Sequence, residues 1–209
     1  MGPEALTPEE RALVKDAVLF WHRRKWLVHA LAVMPTHAHI LATPLMAGPG
    51  DWYSLSDVLH SVKCTSARRV NQHRGRRGAL WERESYDHII RNERELHGTF
   101  DYIAGNAGRE VKSGDGYAYV GFWCEGMEAV GGRLPSPSAS EPGADSARAT
   151  CRPRGRPRRL PEGKLVQRKR NLPHWEQAGS TYHIVLRLKE HRPNPSAGAA
   201  PLSRRLLRP

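Results

Sequence analysis

Long apolar runs are missing from this 209-residue chain. The longest, residues 26–35, is interrupted by His29 and is too short to cross a bilayer, which excludes a helical membrane protein. The N-terminus shows neither the basic nor the apolar stretch of a secretory leader, so none is expected. Cysteine is scarce. Cys64, Cys124 and Cys151 stand far apart, which argues against a disulfide framework and against a Cys-x-x-Cys metal site. Reduced thiols in the cytoplasm are the expectation. Hydrophobic residues make up only 39%, low for a fully packed globule, so part of the chain is expected to be disordered.

Acidic residues are short in one region only. The net charge is +12, yet residues 1–130 hold 16 basic and 16 acidic side chains. Residues 131–209 hold 17 basic and 5 acidic ones, so the whole excess lies there. Such a balance points to a polyanionic partner, nucleic acid above all.

Regular structure is legible before residue 110. Thr7-Pro8-Glu9-Glu10 carries an N-cap, a proline at the first helical position and a capping-box glutamate. Leu13, Val14, Ala17, Val18 and Phe20-Trp21 follow at helical spacing. Arg23-Arg24-Lys25 is read as the basic end of this helix, facing its negative pole. Residues 26–45 read as two strands turning at Pro35-Thr36. A second helix runs from Ser54 to about Val70 on an apolar face of Leu55, Val58, Leu59 and Val62. Residues 80–90 suggest a strand. Asn92 caps a third helix that extends to about Asn106, with Gly108 as its stop.

Residues 131–170, rich in Gly, Pro, Ser, Ala and Arg, cannot offset their ordering entropy and read as a disordered basic linker. Residues 181–188 then compose a strand. A lone strand is not a domain and must pair with residues 1–130 or with another chain. Residues 191–209 read as a loose tail.

Three features could carry chemistry. In His37-Ala38-His39, a strand would place both imidazoles on one face, a start for a divalent metal site. Tyr102 and Asn106 are one helical turn apart, so a phenol and a carboxamide would be neighbours. A tyrosine phenol is a weak nucleophile at neutral pH, and an adjacent metal could polarise a phosphate for it. Residues 63–77 carry Lys63, Arg68, Arg69, Arg74, Arg76 and Arg77 without an acid, and Trp81 follows. Cations there could neutralise phosphates while the indole stacks on a base.

Together these motifs resemble the single-tyrosine transposases, and most closely the REP-associated tyrosine transposases. Val33-Met34-Pro35-Thr36-His37-Ala38-His39-Ile40-Leu41 resembles the family's His-hydrophobic-His strand. Leu59-His60-Ser61-Val62-Lys63, Gly78-Ala79-Leu80-Trp81-Glu82 and Tyr86-Asp87-His88-Ile89-Ile90-Arg91 follow in the family's order. Tyr102-Ile103 and Asn106 match its catalytic helix. Asn171-Leu172-Pro173-His174-Trp175-Glu176 and Thr181-Tyr182-His183 resemble its opening strand. The resemblance covers roughly residues 7–110 and 168–188. It implies an α+β domain with a ferredoxin-like antiparallel sheet and helices packed on one face. It implies cleavage and rejoining of single-stranded DNA beside a hairpin, through a 5′-phosphotyrosine. Tyr102 would be the nucleophile, and His37, His39 and Asn106 the ligands of Mg²⁺ or Mn²⁺.

Two departures stand out. Ala107-Gly108-Arg109 replaces the proline that usually follows the helix asparagine. The opening strand lies at the C-terminus. Residues 171–190 are therefore expected to complete the sheet by folding back, with a swap into a homodimer or a poorly folded degenerate product as the alternatives. Pro153-Arg154-Gly155-Arg156-Pro157 looks like an AT-hook, which would set Arg154 and Arg156 in a narrow minor groove. The expected activity is a nucleoid-associated transposase. An inactive DNA-binding relative and a metal-dependent phosphodiesterase are the competing readings.

Overall fold

A computed structural model describes residues 4–111, 158–162, 164–169 and 173–190. The fold is α+β. Helix α1, Pro8–Leu19, opens on the capping box read from the sequence: Glu10 N–H donates to Thr7 Oγ1 at 3.3 Å, and Thr7 N–H to Glu10 Oε2 at 3.0 Å. Strands β1, Trp26–Val33, and β2, His37–Pro44, form an antiparallel hairpin. Two short strands follow, β3, Met46–Gly48, and β4, Asp51–Tyr53. Helix α2 spans Leu55–His73, strand β5 Tyr86–Ile89 and helix α3 Glu93–Val111. Gly108 does not stop α3, because a helical glycine costs only about 1 kcal/mol unless it turns left-handed.

Strand β9, Tyr182–Arg187, lies between β2 and β5 in a sheet ordered β1-β2-β9-β5. It is antiparallel to both neighbours, pairing His39 with Val185 and His88 with His183. The C-terminal strand thus folds back into the middle of its own chain's sheet. Tyr182, Ile184 and Leu186 are fully buried, and each buried aliphatic side chain contributes about 1.5–3 kcal/mol.

The last part of the expected linker is strand, not coil. Residues Arg159–Pro161 form β6 against β4, and Leu165–Lys169 form β7 against β8, Pro173–Gln177. Composition hides such three- to five-residue strands, because their partners specify them rather than their own patterning. Residues 112–157 and 191–209 lie outside the described residues, including most of the expected linker, the tail, and Arg154 and Arg156 of the AT-hook motif.

The helices are divided between the two faces of the sheet. α1 and α2 cover one face, where Val14, Val18, Val58 and Val62 meet Val28, Ile40 and Ile184. α3 covers the other, where Ile103 packs with Ala30, Ala32 and Leu41. The expectation of helices on one face therefore holds for α1 and α2 only. A bulge at His29 contributes: Val28 pairs with Ala42 but Ala30 pairs with Leu41, so β1 supplies apolar residues to both faces.

Three local expectations are revised. Of residues 80–90, only Tyr86–Ile89 is strand. Leu80 and Trp81 are adjacent and both buried, which an alternating strand with one open face does not allow. Arg23-Arg24-Lys25 lies beyond α1, whose last turn holds no basic residue. Phe20-Trp21, read as part of the first helix, lies beyond its last residue, Leu19. No described helix is long and apolar enough to cross a membrane.

Candidate active site

His37 and His39 project from the same face of β2, as their spacing predicts, with ring centroids 4.8 Å apart. That face is covered by α3, and Tyr102 on α3 brings its ring to 5.4 Å from His39 at 89°. The Tyr102 side chain stays 52% exposed, so its hydroxyl is open to a large substrate. Fold-back of β9 adds His183, stacked on His39 at 5.4 Å and 6.2 Å from Tyr102. These residues line an open cleft of about 630 Å³ together with Glu82, Tyr86, Arg187 and Glu190. Asn106, one turn beyond Tyr102, is not among the residues that line it.

The electrostatics favour the neutral form of His39 and His183. Burial, then the neighbouring His37, His183 and Arg187, pushes His39 down to about 3. Burial and His88 lower His183 as well. His39 Nδ1 lies 3.2 Å from His183 Nε2, so one ring donates and the other accepts. With the proton on His39 Nδ1, its Nε2 presents a lone pair. That Nε2 is buried and has no hydrogen-bond partner. Neutral imidazole nitrogen with its second nitrogen hydrogen-bonded is the usual state of a metal-ligating histidine. The donor chemistry at His37 and His39 thus fits a divalent ion. Among the described residues, no group of three or more His, Cys, Asp or Glu side chains is drawn together around one point. Two imidazoles are present, and the remaining donors would have to come from elsewhere.

Comparisons with protein-family models, curated proteins and solved structures return no match.

The expected DNA-binding residues separate into two groups. Arg68 and Arg77 are exposed and Arg69 is half-buried on or just after α2. Arg74, Arg76, Lys63 and Trp81 have the following partners within the fold. The Arg74 guanidinium is buried against Glu10, with Nη2 2.5 Å from Oε2, and also pairs with Glu4. Arg76 pairs with Glu4 and donates to Asn71 Oδ1 at 3.3 Å. Lys63 Nζ donates to the carbonyls of Glu82 and Arg83 at 3.1 and 3.3 Å. Trp81 is 5% exposed, and its Nε1–H donates to Ser66 Oγ at 2.9 Å. It is a core residue, so the indole is not available to stack on a base.

Sequence reasoning missed His183, Tyr86 and Arg187. Alternation along β9 puts His183 and Arg187 on one face. What the sequence withholds is that this face joins that of His37 and His39.

Proposed function

We propose that this protein is a metal-dependent transposase that cleaves and rejoins single-stranded DNA through Tyr102. The observation that supports this reading is the meeting of a histidine pair on β2 with an exposed tyrosine on α3, in a cleft open enough for a DNA strand. All of these groups, and His183 with them, come from one chain, so the reading requires no partner protomer.

His37 and His39 would hold the ion. When bound, Mg²⁺ or Mn²⁺ would polarise the scissile phosphate and offset developing charge. Tyr102 Oη attacks phosphorus, loses its proton and forms the O–P bond of a 5′-phosphotyrosine. The bond from phosphorus to the 3′-oxygen breaks, and that oxygen leaves as a hydroxyl after gaining a proton. In the reverse step a 3′-hydroxyl attacks the phosphotyrosine and releases Tyr102. The covalent bond conserves the energy of the phosphodiester, so no ATP is consumed. His183 holds the His39 ring through the Nδ1–Nε2 hydrogen bond. Arg187 supplies positive charge at the cleft wall, where a phosphate backbone would pass.

The test is incubation with a labelled single-stranded hairpin and Mn²⁺. A covalent adduct that disappears in Tyr102→Phe supports the transposase. Binding without an adduct identifies an inactive DNA-binding relative, and cleavage that survives Tyr102→Phe identifies a phosphodiesterase that uses water.

A further inference from the structure

Arg23-Arg24-Lys25 does not serve the dipole of α1, and its placement points to another use. The chain leaves the helix through a turn fixed on all sides. The backbone N–H groups of Arg24 and Lys25 both donate to the Trp21 carbonyl at 3.0 Å, and that of Arg23 to the Trp26 carbonyl at 2.8 Å. Val28 N–H donates to His22 Nδ1 at 3.1 Å. Arg23 is the one described non-glycine residue with positive φ, at 59°. Such a conformation is unfavourable for a side-chain-bearing residue and persists only where the surroundings impose it.

The turn builds a strip in which rings and cations alternate. Phe20 and Trp21 meet edge to face at 4.8 Å. The Arg24 guanidinium lies 4.8 Å above Phe20, and Lys25 Nζ lies 3.8 Å above Trp21 and 5.8 Å from the Tyr53 ring. Arg159, delivered by β6, covers Tyr53 at 4.5 Å. Asp57 accepts the backbone N–H of Arg158 at 2.6 Å and also acts electrostatically on Lys25. Phe20 is 44% exposed, so its ring can be reached from solvent.

Alternating cations and aromatic faces match one chemistry well. A single-stranded nucleic acid presents phosphates at regular intervals and unpaired bases between them. We propose that this strip is a binding surface for single-stranded nucleic acid, with Arg24, Lys25 and Arg159 taking phosphates and Phe20 with its neighbouring rings stacking on bases. It lies beside the Trp26 end of the β1–β2 hairpin, whereas His37 stands at the opposite end. Eight strand residues separate the two ends, roughly 25 Å. The surface is therefore distinct from the cleft, and its occupancy does not depend on chemistry at Tyr102.

The experiment uses the full chain carrying Tyr102→Phe in the presence of EDTA, which removes both the proposed nucleophile and any divalent metal. Binding of dT20 and rU20 is followed by fluorescence anisotropy over a salt series. Phe20→Ser is expected to weaken binding of at least one oligonucleotide about tenfold while leaving heparin, a polyanion without bases, unaffected. Arg24→Ala with Arg159→Ala is expected to lower the slope of log affinity against log salt by about 1.4. Ultraviolet crosslinking of a bromodeoxyuridine-substituted dT20 is expected to label peptides containing residues 20–25 or 53. The dT20 and rU20 arms tell DNA from RNA, and loss on either upholds the surface. Equal loss of heparin and oligonucleotide in Phe20→Ser overturns the stacking role. Unchanged affinity in the folded variant that combines Phe20→Ser, Arg24→Ala and Arg159→Ala, or crosslinks confined to other peptides, overturns the proposal.

Discussion

His39 Nδ1 and His183 Nε2 lie 3.2 Å apart, a hydrogen bond between residues 144 positions apart in sequence. It ties the His-x-His strand to the segment that arrives last. Its consequence is control of His39: the bond orients the ring and leaves Nε2 buried, without a hydrogen-bond partner, to present the lone pair. His183→Gln is expected to weaken Mn²⁺ binding 10- to 100-fold, as loss of an outer hydrogen-bond partner typically does. Titration calorimetry of the folded variant measures it. Unchanged affinity would show that His39 does not ligate through that nitrogen.

β9 is a central strand, paired on both sides. Removing it exposes two strand edges and the apolar residues of both faces. Deletion of residues 171–209 is therefore expected to abolish the cooperative melting transition, read by circular dichroism. A melting curve like that of the full chain would contradict the fold-back.

Glu176 is 1% exposed and meets the first turn of α2. Ser54 Oγ donates to it at 3.0 Å and the Ser56 backbone N–H at 3.2 Å, and the Ser56 hydroxyl also donates to it. Ser54 makes no side-chain capping bond of its own, so a carboxylate from β8 performs that task. Glu176→Ala is expected to cost about 1–3 kcal/mol, since it removes the carboxylate that accepts from both serine hydroxyls and an N-terminal amide. Denaturant unfolding gives the value.

Glu10 is buried, which by itself would raise its pKa. The Arg74 guanidinium and the Thr7 backbone N–H outweigh that and hold it down at about 2. A depressed carboxyl contributes stability that is full above its unfolded value, near 4.5, and is lost as pH falls toward 2. Melting temperature should therefore decline across that window, and less steeply in Glu10→Gln. Arg74→Ala is expected to cost about 3 kcal/mol at pH 7, because it leaves the buried carboxylate without its cationic guanidinium partner, held by Thr7 N–H and His73 alone. An equal acid slope in Glu10→Gln and the parent chain would remove Glu10 from the account.

The sequence is informative where a pattern is local. The Thr7–Glu10 capping box, the β1–β2 hairpin and the apolar face of α2 follow from spacings of two to four residues. Fold-back was legible for another reason, that a lone strand has to find a sheet. What escaped depends on distant partners. Arg74 reads as a phosphate ligand until Glu10, 64 residues away, closes on it. Trp81 reads as a stacking ring until Ser66 and the core enclose it. The face chosen by α3 is hidden because β1 and β2 are apolar on both sides. The strip at Phe20 joins α1, β4 and β6, which no local window contains.

The central claim is that Tyr102 attacks DNA. After reaction with a single-stranded hairpin and Mn²⁺, tryptic digestion should leave residues 95–109, whose only tyrosine is Tyr102, carrying a nucleotide through its 5′-phosphate. Mass spectrometry reads the adduct directly. Modified peptide from the parent chain, and none from Tyr102→Phe or His39→Ala, is the predicted result. An adduct on another residue, or hairpin cleavage with this peptide unmodified in the parent chain, would contradict it.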